Sequence, residues 1–248
     1  MKNILYIDVG THFGQEYDVL FRGPVYLTYR IVRSYAAFLS RKSRVRLTLK
    51  DAYEVLELSW FLQKHKSHFL SILIEPNPKL FSHFCYRECD VHLPVALSDD
   101  SGISYGELFY SGGDETGQGS SIFSNKRGAV ADNFAPVIVA NSLTTLTYIF
   151  KTITQANSDF SDATVILRLN CEGSEDEVIY ATREVFGDSF LKVFGSLKDV
   201  LDIKGLAAHD KLEFFLTENA IIFEKFTPSI DTWLPALRSI KKSIIEWE

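Results

Sequence analysis

Ile4-Leu5-Tyr6-Ile7-Asp8-Val9-Gly10-Thr11-His12-Phe13-Gly14 is an apolar run that ends in a carboxylate and passes at once into a glycine-bearing turn. A short apolar run bounded by a turn reads as a strand buried on both faces, as in a parallel sheet. Gly10 and Gly14 let the backbone turn tightly and approach a ligand closely. In open α/β sheets the ligand crevice lies beyond the carboxyl ends of the strands, so the first crossover is where a cofactor is expected. The spacing here is Asp-x-Gly-x-x-x-Gly, not the G-x-G-x-x-G that cradles a pyrophosphate on a helix N-terminus. A carboxylate just ahead of the turn repels a pyrophosphate and suits a cationic or hydrogen-bond-donating ligand. S-adenosylmethionine carries a sulfonium and an ammonium and meets that description, with Asp8 as its expected contact.

With 248 residues the chain has room for one large α/β domain or two small ones. Its 46% hydrophobic and 23% charged residues are those of a globular protein, and no apolar run reaches membrane-spanning length. The first strand begins almost immediately after Met1, so no signal peptide is expected. Three cysteines form no disulfide framework and point to a reducing compartment, so the expected location is the cytoplasm. Net charge is −6, yet Arg22, Arg30, Arg33, Arg41, Lys42, Arg44, Arg46 and Lys50 fall in a stretch without Asp or Glu. That asymmetry is either a solvated helix face or the mark of an anionic partner. Among such partners we expect a phosphorylated or lipid-linked acceptor, or peripheral membrane contact through 22–50, in preference to a nucleic acid. Oligomeric state is not legible.

Beyond Gly14, helical apolar spacing runs through Leu27, Ile31, Tyr35 and Phe38, and again through Val55, Leu58 and Leu62. A crossover between adjacent parallel strands needs one helix, so the second marks residues 18–66 as a basic helical insertion, expected to lie over the site. Phe69–Ile74 is a second buried strand. It ends at Glu75-Pro76-Asn77-Pro78, where Asn77 can cap a helix and Pro78 suits its first position. Glu75 at that strand end can accept both ribose hydroxyls of an adenosine cofactor. Cys85, Cys89 and His92 lack a fourth ligand, and no metal site is expected. Residues 91–97 read as a third strand, broken by Pro94 and so near an edge. Tyr105–Tyr110 and Pro136–Val139 are short strands around a Gly/Ser-rich loop, 111–121, that is either a plain loop or a lid. Val165–Leu169 is a central strand leading to Asn170-Cys171-Glu172-Gly173. Ser174-Glu175-Asp176-Glu177 reads as a capping box opening a helix that ends at Gly187. After a strand at 191–194 and a short helix at 196–204, residues 211–216 and 220–226 read as an antiparallel hairpin, followed by a last helix. The fold expected is one α/β domain over 1–248: a mostly parallel, three-layer sheet closed by a C-terminal antiparallel hairpin.

Five segments in order, IDVGTHFG at 7–14, IEPNPKLF at 74–81, VALSDDSG at 95–102, GSSIF at 119–123 and LRLNCEGSEDEVI at 167–179, make the chain resemble the FkbM family of S-adenosylmethionine-dependent methyltransferases. The resemblance spans about 170 residues, and it is the ordered set that is specific. It implies a Rossmann-like class I methyltransferase fold and O-methylation, typically of sugar hydroxyls in antibiotics, glycolipids or surface polysaccharides. It implies that Asp8, Gly10, Thr11, His12 and Gly14 lie along the methionine part of the cofactor. Glu75 would then hold the ribose, with Pro76 and Asn77 beside the adenosine and Ala96, Leu97 and Ser98 flanking the adenine. The chain departs from the family in having Thr11 for alanine, Arg168 for lysine and Asn170 for aspartate. The last two changes fall near the expected acceptor site and put a metal ligand or a general-base aspartate there in doubt.

Methyl transfer is an in-line displacement at an already activated sulfonium, so the protein's main task is alignment. A hydroxyl acceptor must still lose a proton. Glu172 and His12 are the candidate bases, each with a structural alternative, as an acceptor of loop N–H groups for Glu172 and as a turn residue for His12. Asn170 cannot be a base and could orient acceptor or cofactor. Two other classes remain: a nicotinamide-dependent oxidoreductase on a similar sheet, and a catalytically inactive cofactor-binding module.

Overall fold

The computed structural model describes residues 3–40, 48–112, 119–227 and 229–245. Strand β1 (Ile4–Val9) is buried along its whole length. Its side chains alternate: Ile4 and Tyr6 enter one apolar core, and Leu5, Ile7 and Val9 enter another. A strand with period two that is apolar on both faces must be covered by helices on both faces.

The first cover comes from α1 (Gln15–Phe21), α2 (Pro24–Leu39) and α3 (Leu49–Lys64). α3 opens with a capping box: Thr48 Oγ1 accepts from Asp51 N at 3.1 Å, and the Asp51 carboxylate accepts from Thr48 N at 3.3 Å. Leu27, Ile31, Val55, Leu58 and Leu62 pack with Ile4, Tyr6, Phe69 and Leu73. The described residues of 18–66 are therefore not a lobe laid over the site, as expected from sequence. They are one of the two layers that bury the sheet. Arg41, Lys42, Arg44 and Arg46 of the basic segment lie outside the described residues.

β2 (Phe69–Ile74) pairs parallel with β1, Asn77 caps the single 3-10 turn Pro78–Leu80, and α4 (Phe84–Glu88) follows. β3 (Val91–Leu93) pairs parallel with β2 at the sheet edge. The run 91–97 is not one strand. Past Pro94 the chain leaves the main sheet, and β4 (Val95–Ser98) joins a second sheet with β5 (Ile103–Ser111) and β6 (Ala129–Asn141), in the order β4-β6-β5. Proline offers no N–H to a ladder, which is why pairing changes partner there. Residues 113–118 of the Gly/Ser-rich loop lie outside the described residues.

α5 (Ser142–Ala156) leads to β7 (Thr164–Leu169), paired parallel with β1 on the side away from β2. α6 (Glu175–Phe186) and β8 (Phe190–Gly195) follow, then α7 (Lys198–Lys204), α8 (Leu206–Glu218), β9 (Ile222–Glu224) and α9 (Trp233–Ile245). The expected C-terminal antiparallel hairpin is absent from the described residues. Lys211–Leu216 is helical within α8, and β9 pairs parallel with β8. Leu212 and Leu216 stand one helical turn apart and are both buried, and that i,i+4 spacing outweighs the local β-propensity. The main sheet has the order β3-β2-β1-β7-β8-β9 with every adjacent pair parallel, an arrangement compatible with a Rossmann-like fold.

Candidate functional site

Chain order reverses between β1 and β7, which lie side by side while their crossovers lead to opposite halves of the sheet. Loops leaving such a pair splay apart and open a crevice. Here the loops are 10–14 and 170–174. Gly10 belongs to the first for a steric reason: at φ +71 a Cβ would stand 2.2 Å from the carbonyl oxygen of Asn170. The two loops touch through backbone, and only glycine allows it.

Two cavities adjoin these loops. One is lined by Gly10, His12, Glu75, Pro76, Val95, Ala96, Leu97, Leu108, Ser120, Ser121, Ile122, Asn170, Cys171 and Ser174, among others. The second is lined by Thr11, His12, Phe13, Gln15, Glu16, Arg168, Asn170, Gly195, Ser196 and Thr227, among others. His12 and Asn170 line both, so they stand on the wall between them.

Glu75 is 3% exposed and built into the first loop. Its carboxylate accepts from His12 N at 2.9 Å and from Asn77 N at 2.9 Å. Burial raises its pKa to about 7, and the two N–H donors pull the other way. His12 sits at φ +53, with its carbonyl accepting from Tyr86 Oη at 2.5 Å. A non-glycine residue held at positive φ by bonds on both its N–H and its C=O is a fixed feature of the turn.

Of the sequence candidates, Gly10, His12, Glu75, Pro76, Ala96, Leu97 and Asn170 meet at the first cavity, and Thr11 lines the second. Asp8, Gly14, Asn77, Ser98 and Glu172 line neither. Asp8 stands apart from the cavity residues. Its register partner on β7 is Arg168, so the two side chains project from adjacent strands on one face. Arg168 Nη1 donates to Asp8 Oδ1 at 3.0 Å and to the Gly10 carbonyl at 2.8 Å, Nη2 pairs with Glu16 Oε1 at 2.8 Å, and Tyr6 Oη donates to Asp8 Oδ2 at 3.1 Å. Asp8 is 0% exposed, and its carboxylate is engaged by Arg168 and Tyr6. Burial raises the Asp8 and Glu16 carboxyls, with Arg168 opposing. Burial alone would lower Arg168, but the two carboxylates reverse that and hold it charged.

Gly14 is a packing residue: a Cβ there would stand 2.3 Å from Cys85 Sγ. Asn77 Oδ1 caps the 3-10 turn by accepting from Lys79 N at 3.1 Å. Ser98 Oγ accepts from Asp100 N at 3.2 Å. Glu172, at φ +58, is ion-paired with Lys126, whose Nζ also donates to the Gly119 carbonyl at 3.0 Å. Ser121 Oγ donates to the Glu172 carbonyl at 2.7 Å. Segment 119–126 is thus clasped to the β7–α6 loop, and its residues 120–122 form one wall of the first cavity. Lys126 went unnoticed in the sequence because no spacing links it to position 172. Ser120–Ile122 lie within the GSSIF segment, to which no role was given.

The expected capping box at 174–177 is not formed. Glu175 accepts from Gly173 N at 2.8 Å, and Glu177 accepts from Asp99 N at 3.0 Å. Lys204 pairs with Asp176 at 2.6 Å and also with Glu177. Ser174 lines the first cavity, and its Oγ is buried with no hydrogen-bond partner among the described residues. Cys171 also lines it, its thiol pKa raised by burial and by Glu175. Searches against protein-family models, curated proteins and solved structures return no match for this chain.

Proposed function

We propose that the chain is an S-adenosylmethionine-dependent O-methyltransferase acting on a saccharide hydroxyl. The observation that carries the reading is the cavity at the β1/β7 switch point. It combines a buried strand-end carboxylate, Glu75, with the apolar wall of Ala96, Leu97 and Ile122. That is the chemistry an adenosine asks for: a hydrogen-bond acceptor for ribose hydroxyls and a flat apolar slot for the base. The ordered segments that resemble the FkbM family support the same ligand. With Asp8 committed to Arg168, cofactor recognition rests on Glu75, the 10–12 backbone and Asn170.

S-adenosylmethionine bound there would supply an activated methyl group for in-line transfer, and an acceptor hydroxyl would need a base to take its proton. His12 is the better base because it borders both cavities, whereas Glu172 lines neither and is held by Lys126. Asn170 orients the donor or acceptor. Glu172 serves as the anchor of segment 119–126.

One observation favours a second reading, a nicotinamide-dependent oxidoreductase: a six-stranded sheet parallel throughout, in the strand order of dinucleotide-binding folds. Against it, the first turn after β1 has no open glycine cradle. Gly14 is packed on Cys85, and Glu16 occupies the first turn of α1. Calorimetry with S-adenosylmethionine, S-adenosylhomocysteine and NAD decides. We expect the first two to bind, NAD not to bind, and Glu75→Gln to weaken binding about tenfold or more while the fold survives. NAD binding alone, or unaltered S-adenosylmethionine affinity in Glu75→Gln, rejects the proposal. Cofactor binding without methyl transfer to any saccharide acceptor would leave the inactive module.

A further inference from the structure

We infer that the outward face of α2 seats on an anionic lipid bilayer. α2 is apolar on two faces. Leu27 and Ile31 are buried in the helix layer. Val25, Tyr29, Val32, Ala36 and Leu39 recur at alternating four- and three-residue steps, which holds them on one stripe. They face water: Val25 is 84% exposed, Tyr29 60%, Val32 61% and Leu39 79%. Single exposed apolar residues are ordinary, but a continuous stripe along a whole helix marks an interaction surface.

Charge selects the occupant. Arg33 borders the stripe and is exposed, and Lys50 opens the exposed end of α3, whereas Arg22, just before the helix, is paired with Asp18. No Asp or Glu occurs between residues 22 and 50, in a chain whose net charge is −6. A second copy of the chain would bring basic faces together. A nucleic acid would satisfy the cations and leave the apolar stripe without a use. An anionic bilayer answers both, with acyl chains for Val25, Val32 and Leu39, headgroups for the cations, and the interfacial zone for Tyr29. The acidic remainder is repelled by the same surface, which fixes the orientation. The contact is peripheral, since no described helix is long and apolar enough to cross a membrane.

Co-sedimentation of the full chain with phosphatidylcholine vesicles, with and without about one-third phosphatidylglycerol, tests this. Binding is expected to the anionic vesicles and to fall with salt. Val25→Ser/Tyr29→Ser/Val32→Ser should weaken it about tenfold or more with an unchanged melting temperature, because these side chains are exposed. Arg33→Glu should reduce the preference for anionic over neutral vesicles. The inference does not depend on the cofactor: Glu75→Gln should bind vesicles as the parent does. Absence of vesicle binding, or binding indifferent to the triple substitution, overturns it. So would a dimer in sedimentation velocity that the triple substitution dissolves without any lipid binding, or a single-stranded oligonucleotide bound more tightly than the vesicles.

Discussion

Asp8 and Arg168 face each other across adjacent strands, and that register turns a suspected cofactor ligand into a structural ion pair. One buried guanidinium serves two buried carboxylates, so removing the cation strands both anions. Arg168→Met is expected to destabilise the fold by about 3–5 kcal/mol, read by urea unfolding. A loss below about 1 kcal/mol would mean that the triad is not what holds the β1–β7 loops together. Glu75 carries the opposite lesson. Its pKa rises from an ordinary 4.5 to about 7, so between those values the folded state holds a proton that the unfolded state has released. Stability must therefore fall as pH rises from 4.5 through about 7, by up to about 3 kcal/mol from this group. Glu175, also raised to about 7, acts in the same direction. Ligand affinity should move the other way, because ribose hydroxyls need an ionised acceptor. S-adenosylmethionine should bind more tightly at pH 8 than at pH 6, with Glu75→Gln flattening both dependences. Calorimetry and thermal melts across that range give the signs directly.

Elements in this chain obey period before propensity. The aromatic, β-prone run at 211–216 forms a helix because Leu212 and Leu216 both reach the core from one helical face. Acidic residues 175–177 look like a cap but instead tie loops and α7 together, since Gly173 N, Asp99 N and Lys204 offer partners no local pattern could announce. The turns separate two kinds of glycine. At Gly187 the backbone has φ +53 with open space around it, so alanine there should cost about 1 kcal/mol from conformation alone. At Gly10 the Cβ would also strike the Asn170 carbonyl, so Gly10→Ala should cost at least twice as much and impair ligand binding. Comparable melting temperatures for the two variants would contradict the close approach of the two loops.

Across the whole molecule, two helix layers bury one parallel sheet, and a small second sheet supplies a side wall to the crevice. That wall is closed by the Lys126–Glu172 pair, about nine-tenths buried on both partners. The clasp anchors the segment that carries Ser120–Ile122. Lys126→Met paired with Glu172→Gln removes the clasp without leaving a lone buried charge. We expect faster ligand association and dissociation in stopped-flow measurements, with hydrogen exchange increased over 119–128. Unchanged rates would assign the pair to stability alone.

Sequence by itself determined the parallel α/β class, the central strands that begin at Ile4, Phe69 and Val165, and a turn after each. It could do so because apolar period and turn chemistry are local properties. It also carried Glu75, His12 and Asn170 to the same sheet edge, since strand ends share an edge whenever the strands run parallel. Which carboxylate faces the crevice was decided only in three dimensions. Asp8 and Glu75 both end strands, but Asp8 meets an arginine 160 residues away through sheet register, and Glu75 meets the backbone N–H groups of its own crevice. The clasp at Lys126 and the outward stripe of α2 have the same origin. Both depend on which neighbours arrive and which do not, and packing settles that where composition cannot.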